Sequence, residues 1–122
     1  MKNILYVEDD AINALVIKKL LKNVFAVTHV ADGEACMTMV SQNSFDAILM
    51  DINLGKGKMD GVQTLHRLRE QIRPQPYIVI AVTSYALPED RERFLLEGFD
   101  EYMAKPVDRA GLIALLTQFV GE

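Results

Sequence analysis

Short apolar runs alternate along the chain with longer stretches in which apolar residues recur at helical spacing. The runs are Ile4 to Val7, Phe25 to Val30, Phe45 to Met50, Tyr77 to Val82 and Tyr102 to Ala104. The first, third and fourth are apolar almost throughout, the pattern of strands covered on both faces in a parallel sheet. Between the runs, Ile12, Leu15, Val16 and Leu20 form one stripe, Val62, Leu65, Leu68 and Ile72 a second, and Leu112, Leu115, Leu116 and Phe119 a third. Each stripe is expected to lie on the sheet. Pro88 followed by Glu89 and Asp90 marks a helix start, Gly98 a stop, and Asp10 and Asp108 read as N-caps. There is no internal repeat, linker or low-complexity tract. The pattern predicts an α/β fold of five strand–helix units, one parallel sheet with helices on both sides, forming one domain over residues 1–122.

Composition narrows the setting. A chain of 122 residues, half apolar and a quarter charged, can bury one core without disulfides or metal staples. No apolar run approaches the roughly 20 residues needed to span a bilayer, and "MKNILYVEDD" turns acidic where a signal peptide would stay apolar. A cytosolic protein with no membrane contact is expected. Cys36 is the single cysteine, which suits a reducing compartment. The net charge of −4, with no basic face, argues against direct nucleic-acid binding.

Polar residues are stationed where the strands end. Glu8 and Asp9 stand just past the first strand, Asp51 past the third, Thr83 past the fourth and Lys105 past the fifth. In an open parallel sheet, ligands bind in the crevice beyond the carboxyl ends of the strands, so these residues are expected to meet there. Gathering three acids is costly: two like charges about 4 Å apart repel by about 1 kcal/mol in water and about 4 kcal/mol at a protein-surface dielectric. A hard divalent cation would offset this. Mg²⁺ accepts one or two carboxylates while keeping waters and phosphate oxygens, and Lys105 adds a second positive charge. A carboxylate beside a metal, a lysine and a hydroxyl fits a nucleophile that attacks phosphorus, and Asp51 is the candidate.

Over its whole length the chain resembles the receiver domain of two-component response regulators, carried by "ILYVEDD", "DAILMDINL", "IAVTSYA" and "EYMAKPV" in that order. The resemblance implies a three-layer, doubly wound, flavodoxin-like (βα)5 fold with strand order 2-1-3-4-5. It implies that Asp51 is the phosphoacceptor, Asp9 a direct Mg²⁺ ligand (Mn²⁺ being an alternative ion), Glu8 a partner acting through metal-bound water, and Asn53 a ligand through its backbone carbonyl. Thr83 and Lys105 would contact the phosphoryl oxygens, Tyr102 would be the switch aromatic, and the Lys105–Pro106 peptide would be cis. Implied partners are a sensor histidine kinase or histidine phosphotransfer protein and a downstream target that reads helix 4, strand 5 and helix 5. "VEDDAIN" looks like receivers of hybrid kinases and phosphorelays. With no output domain visible, the sequence reads as a stand-alone regulator or as part of a longer protein.

Two segments depart from the family pattern. "LGKGKMDG" carries about two extra residues and Gly55 at the usual proline position, so a mobile loop is expected there, with Lys56 and Lys58 solvated. Tyr85, two residues beyond Thr83, is at a position that tunes acyl phosphate hydrolysis in receivers, as does Asn53. The remaining candidates read as structural: His29 and His66 lack a second ligand at metal spacing. Cys36 and the methionines fit packing or surface roles, and "PEDRER" reads as the solvated start of helix 4. Two rivals stay open. A haloacid-dehalogenase-like phosphatase shares the Asp nucleophile, but Asn53 cannot supply its general acid; a non-phosphorylated receiver-like module would not need Glu8, Asp9, Asp51, Thr83 and Lys105 together.

Overall fold

The computed structural model describes residues 1–54, 59–71, 77–84 and 87–121. Strands β1 (Asn3–Val7), β2 (Ala26–Val30), β3 (Ala47–Asp51), β4 (Ile78–Thr83) and β5 (Glu101–Ala104) alternate with helices α1 (Ala11–Leu21), α2 (Gly33–Gln42), α3 (Gly61–Gln71), α4 (Pro88–Glu97) and α5 (Arg109–Val120). All pairings are parallel and the order is β2-β1-β3-β4-β5. Because right-handed crossovers run first one way along the sheet and then the other, α1 and α5 cover one face and α2, α3 and α4 the other.

Strand side chains alternate between these faces with period two. Leu5, Val7, Ile48, Met50, Val79 and Ala81 pack with Cys36, Leu65, Leu68 and Phe94. Ile4, Tyr6, Ala47, Leu49, Ile80 and Val82 pack with Ala14, Ile17, Leu112 and Leu116. This double coverage is why the central strands read as unbroken apolar runs.

The capping signals act as read. Asp10 accepts from the amides of Ile12 and Asn13, Asp108 accepts from Gly111, and Gly98 ends α4 at φ 117, a left-handed conformation that glycine takes without a Cβ penalty.

Several expectations need correction. Asp51 and Thr83 are the last residues of β3 and β4, not the residues after them, because both still pair with the neighbouring strand. Phe25, Phe45 and Tyr77 precede their strands. The stripe assigned to α1 does not lie on the sheet: Ala14, Ile17 and Leu21 do, leaving Ile12, Leu15 and Val16 at 74%, 54% and 48% exposure and Leu20 partly covered. The helix is apolar nearly all round, so its spacing admits two phases, and the small Ala14 lets it sit close. Asp90 is not a solvated member of the "PEDRER" run. Its buried carboxylate accepts from the Leu87 amide at 2.9 Å and pairs with Arg93 at 3.1 Å, satisfying an otherwise orphan donor at the start of α4. Ile72, the 55–58 loop with Gly55, Lys56 and Lys58, and Tyr85 lie outside the described residues.

Candidate functional site

Register brings the site together. Val7 is paired with Met50, so the next residues, Glu8 and Asp51, lie level at the top of β1 and β3. Asp51 is paired with Val82, placing Thr83 one step beyond on β4, and Thr83 is paired with Ala104, placing Lys105 one step beyond on β5. Ligand oxygens of Glu8, Asp9 and Asp51 lie within 4.8 Å of one another. Glu8, Asp51 and Thr83 are buried, whereas Asp9 stands at the exposed rim.

Lys105 ties two of the acids. Its Nζ donates to Glu8 Oε1 at 2.8 Å and to Asp51 Oδ2 at 3.3 Å, and its own amide donates to the Thr83 carbonyl at 2.8 Å. The Lys105–Pro106 peptide is cis. The second Asp51 oxygen accepts from the Asn53 amide at 3.2 Å. Gly61, at the start of α3, packs against the Asp51 and Ile52 backbone so closely that a Cβ would overlap the Asp51 carbonyl oxygen. Tyr102, on β5 opposite Ala81, stacks on Phe94 of α4 with centroids 5.8 Å apart and planes 21° from parallel.

The charges respond to this crowding. Burial pushes the Asp51 carboxyl up, the adjacent Glu8 adds to the rise, and Lys105 and the Asn53 amide only partly oppose it. For Glu8, burial works upward, but hydrogen bonding with Asp51, Lys105 and Tyr6 outweighs it and the group ends below its ordinary range. Burial works to lower Lys105, and its two carboxylate partners raise it instead. Among the described residues, three acids stand against one lysine in the crevice, which leaves it short of positive charge. An all-oxygen donor set with that deficit fits a hard divalent ion such as Mg²⁺.

Two contacts were not anticipated from the sequence. Tyr6 donates from its hydroxyl to Glu8 Oε1 at 2.9 Å, and His29 Nε2 meets the Glu8 carbonyl oxygen at 2.6 Å. The signal for the first was present: Glu8, just past β1, is two residues on from Tyr6 along the extended chain, so the two share a face. His66 is a surface residue, 3.0 Å from the Glu97 carboxylate. Among the described residues no helix is long and apolar enough to cross a membrane.

A five-stranded parallel sheet of this order, with an acidic crevice and a lysine at the strand ends, defines a flavodoxin-like fold. Residues 4–117 match the response regulator receiver domain, and the chain belongs to that family. The crystal structure of the receiver domain of a sensor histidine kinase from Pseudomonas aeruginosa PAO1, with a magnesium ion coordinated in its active-site cleft, is 37% identical. The match covers 99% of this chain and 98% of that one, with a TM-score of 0.86. The sensor protein GacS of Pseudomonas syringae pv. syringae is 31% identical over 97% of this chain, and the histidine-protein kinase BarA of Escherichia coli K12 is 31% identical over 95%. The chain spans only 13% and 12% of the length of those two proteins.

Proposed function

We propose that this domain takes a phosphoryl group onto Asp51 from a phosphohistidine of a sensor kinase or histidine phosphotransfer protein, and passes the signal on as a change of protein affinity. The carrying observation is the meeting of Asp51, Glu8, Asp9 and Lys105 in the crevice at the strand ends. An Asp51 oxygen attacks phosphorus in line, the P–O bond forms as the donor's P–N bond breaks, and the imidazole leaves with that electron pair. Lys105 is held beside Asp51 to neutralise charge on the transferred oxygens, and the Thr83 hydroxyl donates to one of them. Held by Asp9, Asp51 and the Asn53 carbonyl, with Glu8 acting mainly through metal-bound water, Mg²⁺ (or Mn²⁺) would supply further neutralisation of the equatorial oxygens. The protein is a switch that catalyses only its own phosphorylation and dephosphorylation, at work in the cytoplasm, with Asn53 and Tyr85 tuning hydrolysis.

Ile12, Leu15 and Val16 expose an apolar face on the helix that follows Asp10, beside a cavity of about 360 Å³ lined by Val16, Ser84, Lys105 and Pro106. This face suits the donor protein, because an apolar landing surface at the mouth of the crevice would bring a phosphohistidine in over Asp51. At the opposite flank, movement of Thr83 towards the phosphoryl group lets Tyr102 shift against Phe94, biasing the α4–β5–α5 surface for the downstream target.

Incubation with acetyl phosphate and Mg²⁺ tests the reading. A minutes-stable phosphoryl adduct, read by intact mass and lost in Asp51→Asn, is expected. Rapid turnover of phosphomonoesters would instead mark a phosphatase, and neither result would mark a non-phosphorylated module; each overturns the proposal.

A further inference from the structure

Glu8 is 1% exposed, and its carboxylate is held by more than Lys105. Ile4 and Tyr6 of β1 point into the core shared with α1 and α5, and strand alternation sets Glu8 on that same side. The Tyr6 ring is rooted among apolar neighbours while its hydroxyl reaches up to Glu8 Oε1 at 2.9 Å, joining Lys105 Nζ at 2.8 Å on the same oxygen. The other oxygen takes one long backbone bond, 3.4 Å from the Asp10 amide, and the carboxylate as a whole also hydrogen-bonds with Asp51. From β2, His29 fixes the Glu8 carbonyl oxygen, and its ring tilts against Tyr6 with centroids 6.3 Å apart. Backbone and one carboxylate oxygen are therefore pinned, and the less engaged oxygen keeps the capacity to meet a cation.

We infer that Tyr6 is a positioning residue of the acidic crevice: acting through Glu8, its hydroxyl fixes the carboxylate in the orientation that leaves Oε2 to serve a divalent ion through metal-bound water. This rests on the proposed Mg²⁺-dependent phosphoacceptor reading. A carboxylate already held by two donors on one oxygen has little reorganisation left to undergo on binding. Outer partners that orient metal-ligating groups change affinity by about 10- to 100-fold when removed. Tyr6 stands at the lower end of that range, because Lys105 remains on the same oxygen after the hydroxyl is gone.

Tyr6→Phe removes the hydroxyl and keeps the ring. Isothermal titration of the full chain with Mg²⁺ is expected to show about tenfold weaker binding. The Tm in EDTA should stay within a few degrees of wild type, and the rise in Tm on adding Mg²⁺ should shrink. In a Glu8→Gln background, adding Tyr6→Phe should change the Mg²⁺ affinity by less than about twofold, because the path from the phenol to the ion is broken. Unchanged affinity in Tyr6→Phe overturns the assignment, as does an equal tenfold loss in the Glu8→Gln background or a chain unfolded in EDTA, either of which makes the hydroxyl a general structural group. If wild type binds Mg²⁺ and takes phosphate from acetyl phosphate while Tyr6→Phe behaves identically, the positioning role fails and the phosphoacceptor reading stands. If wild type does neither, both fall.

Discussion

Helices α1 and α4 flank the same crevice and are anchored in opposite ways. The first is held by Ala14, Ile17 and Leu21 and shows Ile12, Leu15 and Val16 to solvent. The second drives Phe94 into the core, edge-on to Phe99 and stacked on Tyr102, and its outer side is mostly charged, with Leu96 the large apolar side chain it leaves exposed. Beyond that ring its side-chain ties to neighbouring elements are polar: Arg91 makes a two-pronged pair with Glu101 of β5 and Glu97 meets His66 of α3, while within the helix Arg93 sits 4.6 Å over the Phe94 ring. Apolar area left outside is stabilised only by being covered, so α1 suits a partner that comes and goes. Ties between surface charges are individually weak and exchangeable, so what fixes the position of α4 is the buried Phe94 ring.

The largest expected effect tests the anchor of α4. Phe94→Ala removes a ring that is 3% exposed and leaves a cavity between α4 and β5, costing about 3–5 kcal/mol in urea unfolding. A loss below about 1 kcal/mol would show that α4 is not held by this ring, and the contrast with α1 would collapse. The next effect belongs to α1. The double substitution Leu15→Asp and Val16→Asp is expected to slow phosphotransfer from a phosphohistidine protein at least about tenfold, since each side chain at a buried interface centre carries about 1 kcal/mol or more. Labelling by acetyl phosphate, which needs no docking, should stay within about twofold. Equal losses from both donors would place the defect in the crevice and remove the docking role of α1.

The crevice between them carries a proton linkage with a definite sign. Burial and Glu8 raise the folded-state value of Asp51 above the unfolded aspartate value of about 3.9, so above that pH the native chain holds a proton that the unfolded chain has lost. Asp51 therefore subtracts from stability as pH rises through its raised value, whereas Glu8, whose value is lowered, adds stability above its unfolded value and loses it only in acid. A cation entering the crevice must displace the Asp51 proton. Mg²⁺ affinity is thus expected to climb several-fold from mildly acidic to mildly alkaline buffer, with proton release visible when titrations are repeated in buffers of different ionisation enthalpy. Affinity independent of pH would contradict the burial argument.

Most of the fold was legible because a strand has only two faces. Ile4 and Tyr6 against Leu5 and Val7 cannot be assigned wrongly when both sides are covered, and the strand ends then lead to Glu8, Asp9, Asp51, Thr83 and Lys105. Helix α1 was misread because "AINALVIKKLL" offers apolar residues in every direction; helical spacing alone cannot tell a core stripe from a partner stripe. Tyr6 was passed over because an aromatic in a strand reads as packing, although its hydroxyl is what the Glu8 carboxylate uses. Asp90 was hidden among charges, and its spacing of three from Leu87 was the cue that it caps α4.

The smallest expected effect sharpens the comparison inside α1 itself. Ile12 and Ile17 are chemically identical and lie on one helix, at 74% and 3% exposure. Ile17→Ala should cost about 2–5 kcal/mol, since it removes methyl groups from a core that closes only partly around the gap. Ile12→Ser should move stability by no more than about 0.5 kcal/mol, because water already covers most of that side chain in the folded chain. The same Ile12→Ser change should still slow transfer from a phosphohistidine protein, so stability and docking would separate at a single residue. A stability loss above about 1.5 kcal/mol at Ile12 would mean that the residue is covered within the isolated chain, and the face assigned to the donor would belong to the core.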